Sequence, residues 1–191
     1  AAAQPERPRL AGVRRLPARR QRRRHDRRSG LQADEAFIDL DDHAAGLAVG
    51  IAFVRGYVRE RTDKLGNFWG DLIRALLWVL LPMSILGSLI LIALGVPMNF
   101  LSYVQAHAIE GGTQIIAQGP VAALEFIKNL GTNGGGFFNV NAAHPFENPN
   151  GLTNFIELLA IIIVPAALTH TFGRMVGRPR DGWVIFWTMT A

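Results

Sequence analysis

Residues 120–138 have the sequence PVAALEFIKNLGTNGGGFF, in which a short run of helix-forming residues is followed by three consecutive glycines. Pro120 suits the first turn of a helix, where its missing N–H would have had no partner, and Gly131 ends the run. A helix over 121–130 rises about 1.5 Å per residue and is too short to cross a bilayer, which takes about 20 apolar residues. The length therefore fits a half-helix that enters a membrane and returns on the same side.

Two long apolar segments flank this half-helix. Residues 75–96 contain no charged side chain, and residues 152–173 are also predominantly apolar. Each segment is long enough to span a bilayer, and the proline inside each is tolerated in membrane helices. The sequence therefore predicts two spans with a half-helix between them.

The basic residues indicate how these spans are oriented. Five of them lie within residues 55–74, before the first span, and three follow the second span. Between the spans, over residues 97–151, the only basic residue is Lys128. Because loops rich in lysine and arginine stay on the cytoplasmic side, residues 97–151 are expected to face outward.

The glycine run supplies the chemistry of an ion filter. A filter replaces the hydration shell of a cation with backbone carbonyl oxygens, and aiming them into one channel requires positive φ values that glycine reaches without steric cost. Gly134, Gly135 and Gly136 give that freedom, while Thr132 and Asn133 add a hydroxyl and an amide oxygen at the inner mouth. The C-terminus of the half-helix places partial negative charge beside the loop. These five residues form the predicted cation site.

The alternative is that the glycines form a flexible turn in an extracellular loop. Their setting between a half-helix and a returning span on the outer face favours the filter. Irregular backbone at membrane depth is tolerated only where it is buried in protein or lines a wet cavity. Phe137 and Phe138 are therefore expected to pack the loop against neighbouring helices.

Residues 1–43 differ in composition from the rest of the chain. They are rich in arginine and carry a net charge of +4, whereas residues 44–191 carry +1. Three interpretations stay open: a disordered tail, a basic arm that binds nucleic acid or anionic lipid, and an out-of-frame translation. Residues 44–54 are uncharged but too short for a span, so they are interpreted as the second half of a transmembrane helix.

Other ionisable residues are expected to have supporting roles. Glu157, near the outer end of the second span, is expected to be solvated, and Glu110, Glu125 and Glu147 are expected to give the outer face an acidic bias that draws cations. Lys128 is expected to cap or to pair within the half-helix. No Ser/His/Asp set, phosphate loop or pair of catalytic carboxylates stands out, so the sequence predicts ion binding rather than catalysis.

These observations divide the chain into segments. The predicted order is a basic segment, disordered or out of frame, over 1–43; the end of a transmembrane helix over 44–58; a cytoplasmic loop over 59–71; a span over 72–96; an extracellular loop over 97–119; a pore helix and filter loop over 120–140; an extracellular loop over 141–151; a span over 152–173; a cytoplasmic loop over 174–182; and the start of a truncated transmembrane helix over 183–191.

Several motifs carry a resemblance to a known family. They are LGNFW at 65–69, GPVA at 119–122, LGTNGGGFF at 130–138, AHPFENP at 143–149, and IVPAAL at 163–168 followed by Phe172 and Gly173. Together they resemble the potassium-binding A subunit of the bacterial Kdp potassium-transporting ATPase, over about residues 44–191. The combination of TNGGGFF with AHPFENP is highly specific.

The resemblance implies an all-α membrane protein built from helix–pore loop–helix repeats of potassium-channel-like architecture, of which this chain is an incomplete part around the second repeat. It implies that K⁺, the transported ion, binds from outside in a filter lined by Thr132, Asn133, Gly134, Gly135 and Gly136. No prosthetic group is implied.

The resemblance also implies partners. K⁺ would pass to a P-type ATPase B subunit that hydrolyses ATP, in a complex with the small C and F subunits in the lipid of a bacterial plasma membrane. This chain would then be a non-catalytic subunit. The alternatives are a subunit of a non-ATPase potassium channel or symporter of the same design, and a basic nucleic-acid-binding protein. The latter would require salt-dependent DNA binding by residues 1–43; nucleic acid is otherwise not an expected partner.

Overall fold

Helices make up most of the computed structural model, which describes residues 18–59, 64–107, 109 and 111–191, with side chains from residue 38 onward. The elements are α1 (Ala18–Val58), α2 (Phe68–Arg74), a π-helical segment (Ala75–Leu80), α3 (Leu81–Ala93), β1 (Val104–His107), β2 (Thr113–Ile116), α4 (Val121–Gly131), α5 (Gly151–Met175) and α6 (Pro179–Thr190). Within the described residues, two helices are long and apolar enough to cross a membrane: Phe68–Ala93, which joins α2, the π-helical segment and α3, and α5.

The first candidate membrane helix changes its hydrogen-bond register just before Pro82. Since proline has no N–H, the carbonyl four residues before it loses its α-helical partner. The N–H of Leu81 donates instead to the carbonyl of Leu76, five residues back, which is the π-helical pattern. The span predicted over 72–96 is therefore helical, but it runs over Phe68–Ala93.

The second candidate membrane helix, α5, begins at a capping box. The side chain of Asn150 accepts from the N–H of Thr153 at 3.0 Å, and the Thr153 hydroxyl accepts from the N–H of Asn150 at 3.1 Å. Asn150 also donates to the carbonyl of Leu94, just after α3, at 3.1 Å. The cap thus fixes the start of α5 beside the end of α3. The helix predicted over 152–173 runs over Gly151–Met175.

The short helix α4 packs against α1, α3 and α5. Nine of its eleven residues are buried, so it belongs to the interior and not to a surface loop. The ring of Phe126 lies over Gly87 of α3, so closely that a Cβ at Gly87 would overlap it. The short helix predicted over 121–130 is thus present and one residue longer, and its re-entrant course in a membrane stays a prediction.

An ion pair ties α1 to the first candidate membrane helix. The Arg55 guanidinium donates to both carboxylate oxygens of Asp71, and its second bond measures 3.1 Å. The Asp71 side chain is only 6% exposed. A bidentate pair of this kind fixes orientation as well as proximity, so it holds the two helix ends in register across their connection.

The structure differs from the expectation for the basic segment over 1–43. Residues 1–17 lie outside the described residues, but residues 18–43 are helical within α1 and not disordered. Arginine and alanine, which make up ten of these 26 residues, are good helix formers, and a helix that has nucleated in the following apolar segment extends at low cost. The helix ends at Val58, where the sequence placed the end of a transmembrane helix.

The described residues are mostly helical, as the predicted all-α class requires, but the loop predicted over 97–119 contains two short strands. Strands β1 and β2 form an antiparallel hairpin in which Val104 lies opposite Ile116 and His107 lies opposite Thr113. β-Branched residues favour the extended backbone, and two consecutive glycines in the connection permit a turn. The polar composition of this loop concealed the strands.

The loop predicted over 174–182 is shorter than expected. Helix α6 already begins at Pro179, a residue suited to the first helical turn, so the helix predicted over 183–191 starts four residues earlier. A Cβ at Gly173 of α5 would lie 2.9 Å from the backbone nitrogen of Gly182 in α6. The two helices are therefore in backbone contact where both carry glycine.

We expect Gly87→Ala to destabilise the protein by about 1–3 kcal/mol, the cost typical of overpacking, because the methyl group must displace Phe126 and with it α4. Thermal unfolding of the detergent-solubilised protein measures this loss. Gly50→Ala is the matched control, since Gly50 is also helical but has open space around its Cβ position. Equal melting temperatures for the two variants would contradict this account of how α4 is held.

Candidate functional site

The glycine loop, residues 132–136, begins where α4 ends. The N–H of Asn133 donates to the carbonyl of Lys128 at 3.3 Å, and the N–H of Thr132 donates to the carbonyl of Asn129 at 3.2 Å. These are the paired bonds of a Schellman motif. Thr132 occupies the left-handed position, with φ 58° and ψ 22°, which glycine usually takes and a β-branched residue seldom adopts. The start of the loop is therefore strained.

The three glycines adopt the backbone conformation that the sequence predicted. Gly134, Gly135 and Gly136 have φ values of 82°, 83° and 88°. The Gly135 carbonyl accepts from the N–H of Asn141 at 3.0 Å and the Gly136 carbonyl accepts from the N–H of Asn139 at 3.1 Å. Because a carbonyl oxygen has two lone pairs, these bonds hold the loop and leave each oxygen a second acceptor position.

A cavity of about 190 Å³ lies beside the glycine loop. Its lining residues are Asp39, Leu124, Lys128, Gly134, Gly135, Gly136 and Asn139. The volume would hold several waters at about 30 Å³ each. Three of the five predicted site residues therefore share one cavity, together with a carboxylate residue from α1.

Thr132 and Asn133 are not among the residues that line this cavity. Both are exposed at the start of the loop. The amide nitrogen of Asn133 instead donates to the backbone carbonyl of Asp39 at 3.4 Å, which connects the loop to α1. The role predicted for these two residues at an inner mouth stays a prediction.

Behind the loop lies a buried charge cluster, formed by Glu125, Lys128 and Glu147. The Lys128 ammonium lies 2.6 Å from the Glu125 carboxylate, which also accepts from the Asn129 amide at 2.9 Å. Glu147 Oε1 accepts from the N–H of Phe138 at 2.9 Å. The three charged side chains are at most 2% exposed. Charged groups buried to this degree require partners, and the loop backbone supplies one of them.

The structure corrects the expectation that the acidic residues face outward. Glu125 and Glu147 are fully buried and Glu157 is 3% exposed, because α4 is enclosed by other helices and these carboxyls point into the same interior. Burial raises the pKa of the Glu125 carboxyl, and the hydrogen bond from Lys128 opposes that shift. The pairing predicted for Lys128 is confirmed. Glu110 lies outside the described residues.

Two of the buried carboxylate oxygens, Glu147 Oε2 and Glu157 Oε1, have no hydrogen-bond partner in the part of the chain that the structure describes. Glu157 also interacts electrostatically with the three residues of the buried charge cluster. Three carboxyls therefore share one ammonium. The charge behind the loop is negative whenever at least two of the carboxyls are ionised.

The phenylalanines after the loop anchor it on two sides. Phe137 is buried in the hydrophobic core, as predicted, and its ring occupies the space that a side chain at Gly119 would need. Phe138 is partly buried and also packs against this core, as expected. Its ring stacks on His144 with centroids 3.8 Å apart and planes inclined by 10°, so it fastens the glycine loop to the segment that follows it.

Sequence reasoning missed Asp39 and Asn139 as cavity residues and Glu147 as a support of the loop. The spacing of Glu125 and Lys128, three positions apart on one helix, is that of an ion pair and was the available signal for the cluster. Glu147 lies in a polar loop in which nothing local indicates burial. Asp39 lies within residues 1–43, whose composition differs from that of the rest of the chain.

Comparison with known proteins follows the resemblance seen in the sequence. A family model described as "Potassium-transporting ATPase A subunit" matches residues 36–191. Proteins named "Potassium-transporting ATPase potassium-binding subunit" are similar to the chain. That of Paramagnetospirillum magneticum is 54% identical over 148 residues, which are 78% of this chain and 27% of that protein.

Two further relatives carry the same name. The protein of Rhodospirillum centenum is 54% identical over 145 residues, 76% of this chain and 25% of that protein. The protein of Francisella philomiragia subsp. philomiragia is 51% identical over 146 residues, 76% of this chain and 26% of that protein. The chain thus spans about a quarter of the length of the curated relatives it matches.

The fold and the loop define a mostly helical protein with two candidate membrane helices and a buried short helix between them. The chain belongs to the family of potassium-transporting ATPase A subunits. The resemblance predicted from the sequence motifs is confirmed. Residues 36–43, expected to lie outside it, fall within the match.

We expect Gly136→Ala to destabilise the protein more than Gly177→Ala does. Both glycines have positive φ, so both variants carry the backbone strain of about 1–2 kcal/mol. Only at Gly136 would the added Cβ also lie within 2.9 Å of Glu125, Lys128 and Glu147, which adds an overpacking cost of about 1–3 kcal/mol. Equal decreases in melting temperature for the two variants would show that the buried charge cluster leaves room for a methyl group at position 136.

Proposed function

We propose that this chain forms the second helix–pore loop–helix repeat of a potassium-binding subunit, and that residues 132–136 contribute one loop of its K⁺ filter. The observation that carries the proposal is a run of three glycines with positive φ at the C-terminus of a buried helix too short to span a membrane. The names of the relatives support K⁺ as the ion.

The chemistry proposed for the loop is replacement of the hydration shell of K⁺ by carbonyl oxygens. Gly134, Gly135 and Gly136 line a cavity of a size that admits an ion with some of its water. The C-terminus of α4 opens directly into the loop, and the partial negative charge of a helix end favours a cation. Thr132 and Asn133 complete the proposed set at its exposed end.

The proposed location is the plasma membrane of a bacterium, with several spans. Helices Phe68–Ala93 and α5 would cross the bilayer, and residues between them would face outward. Irregular backbone at membrane depth needs protein or a wet cavity around it. The glycine loop has both, since it borders a cavity and lies against the buried charge cluster, of which Lys128 also lines the cavity.

The proposed partners are a P-type ATPase B subunit, which hydrolyses ATP, and the small C and F subunits. K⁺ bound in the filter would pass to the B subunit, and this chain would bind the ion without catalysing a reaction. The relatives are named as subunits of a potassium-transporting ATPase, which favours this assignment over a non-ATPase channel or symporter.

We expect Gly135→Ala in the full-length subunit to raise the apparent KM for K⁺ uptake about tenfold. A non-glycine residue at φ 83° costs about 1–2 kcal/mol, and the free loop relieves this strain by turning its carbonyls away from the ion. Restoring their aim when K⁺ binds would then cost about that much binding free energy, and 1.4 kcal/mol corresponds to a factor of ten. The added Cβ would be in ordinary contact with Asn139 Oδ1 at 3.4 Å, so the effect comes from the aim of the carbonyls and not from a severe clash.

Uptake is measured in cells that lack other potassium transporters, with Gly177→Ala as the control. Gly177 also has positive φ but lies far along the chain, after α5, in open space. A KM that stays unchanged in Gly135→Ala and in the charged variant Gly135→Asp would rule out the filter role of the loop.

The partner assignment has its own test. Deletion of the P-type ATPase gene beside the gene for this subunit is expected to abolish ATP-dependent K⁺ uptake, and a plasmid copy should restore it. Uptake that persists without any such ATPase would favour the channel or symporter alternative.

A further inference from the structure

We propose that Glu125, Lys128 and Glu147 are positioning residues for the glycine loop and set its discrimination among monovalent cations. This inference rests on the proposed filter function of residues 132–136. Glu125 and Glu147 are not among the residues that line the cavity, whereas Lys128 is. The two carboxylates would act through the loop backbone without touching K⁺, and Lys128 would act through its charge beside the cavity.

All three side chains converge on Gly136. A Cβ built there would lie 2.8 Å from Glu125 Oε2, 2.9 Å from Glu147 Oε1 and 2.9 Å from Lys128 Nζ. Such distances leave no room for any side chain. Glycine at this position therefore lets the backbone rest directly on the buried charge cluster.

Two of the same residues also hold the two ends of the loop. At its start the backbone carbonyl of Lys128 accepts from the N–H of Asn133 at 3.3 Å. At its end Glu147 Oε1 accepts from the N–H of Phe138 at 2.9 Å. With the packing at Gly136, the loop is fixed at three points within six residues, and the side chains of the cluster make two of them.

Lys128 also places a positive charge beside the proposed ion site. Lys128 lines the cavity together with the loop glycines, and its side chain is 2% exposed. An ammonium beside a cation site repels the cation, and little water is present to screen it. Glu125, 2.6 Å away, offsets that charge. Removal of Glu125 alone should therefore weaken K⁺ binding more than removal of the whole pair.

The positions of the loop carbonyls determine which ion the proposed filter prefers. A filter selects K⁺ either by the size of its site or by the number of carbonyls around the ion. Both properties depend on where the loop holds its carbonyls. A loop released at Phe138 or Gly136 can close on Na⁺ or open for larger ions. Loss of the cluster should therefore narrow the preference for K⁺ over Na⁺ and Rb⁺.

The first experiment compares Glu147→Leu with Glu147→Gln in the full-length subunit within its complex. Glutamine keeps an oxygen that accepts from the Phe138 N–H, whereas leucine does not. We expect Glu147→Leu to raise the KM for K⁺ at least tenfold and to increase inhibition by Na⁺ and Rb⁺, and Glu147→Gln to stay within about threefold of the parent. Rates are corrected for the amount of subunit in the membrane.

The second experiment is a charge cycle of Glu125→Gln, Lys128→Met and the double variant. We expect Glu125→Gln alone to raise the KM for K⁺ about tenfold or more, and the double variant to lie closer to the parent, because it leaves no unpaired ammonium. Arg180→Gln, an exposed charge on α6, is the control. If Glu147→Leu does not accumulate, Glu147→Gln and this cycle decide the question.

The inference is overturned if the variants of all three residues lower only the amount of subunit while KM and the inhibition by Na⁺ and Rb⁺ stay within twofold of the parent. It is also overturned if the double variant shows the sum of the two single effects. Gly135→Ala in the same assay separates the two proposals. An unchanged KM there rejects the filter itself, whereas a raised KM there with inert cluster variants rejects only the positioning role.

Discussion

The backbone of the glycine loop passes so close to three buried charged groups that only a residue without a side chain fits at Gly136. Each side of this contact depends on the other. Charges removed from water are stable only when hydrogen bonds and opposite charges replace the solvent, and the N–H of Phe138 is one such replacement for Glu147. The loop in turn is held in an unusual conformation by the carboxylates behind it. Helix α4, the loop and the segment up to Glu147 must therefore form together.

Strained backbone is concentrated at the same place. In the described part of the chain, the non-glycine residues with positive φ are Thr132, Asn139, Asn141 and Ala142, and all lie within eleven positions that include the glycine run. Such conformations cost about 1–3 kcal/mol each and persist only where the surroundings enforce them. Here the surroundings are the Schellman bonds at the end of α4, the side-chain acceptor of Asn141 and the stacked ring of His144. The loop is thus a conformation imposed by the fold and not a relaxed turn.

Local patterns predicted the parts of this molecule that local physics determines. The start of α4 follows from a proline, and α5 follows from its apolar length and the Asn150 cap, so both helices were placed to within a few residues. The positive φ values of the glycines were predictable because few other residues adopt them. The burial of Glu147 was not, since a carboxylate in a polar loop is ordinarily solvated and only packing against α4 removes it from water. The cavity wall at Asp39 comes from α1, a contact across 94 residues between Asp39 and Asn133 that no short pattern encodes.

The loop also has two unlike ends. Thr132, Asn133 and Gly134 are exposed, whereas Gly135 and Gly136 are half-buried and Phe137 is in the core. A single loop offers too few oxygens to replace the hydration shell of a cation, so other loops would have to complete the proposed filter. The rigidity of this loop would then come from groups that do not face the ion. Glu125 and Glu147 are such groups, since they lie against the loop at Gly136 and are not among the residues that line the cavity.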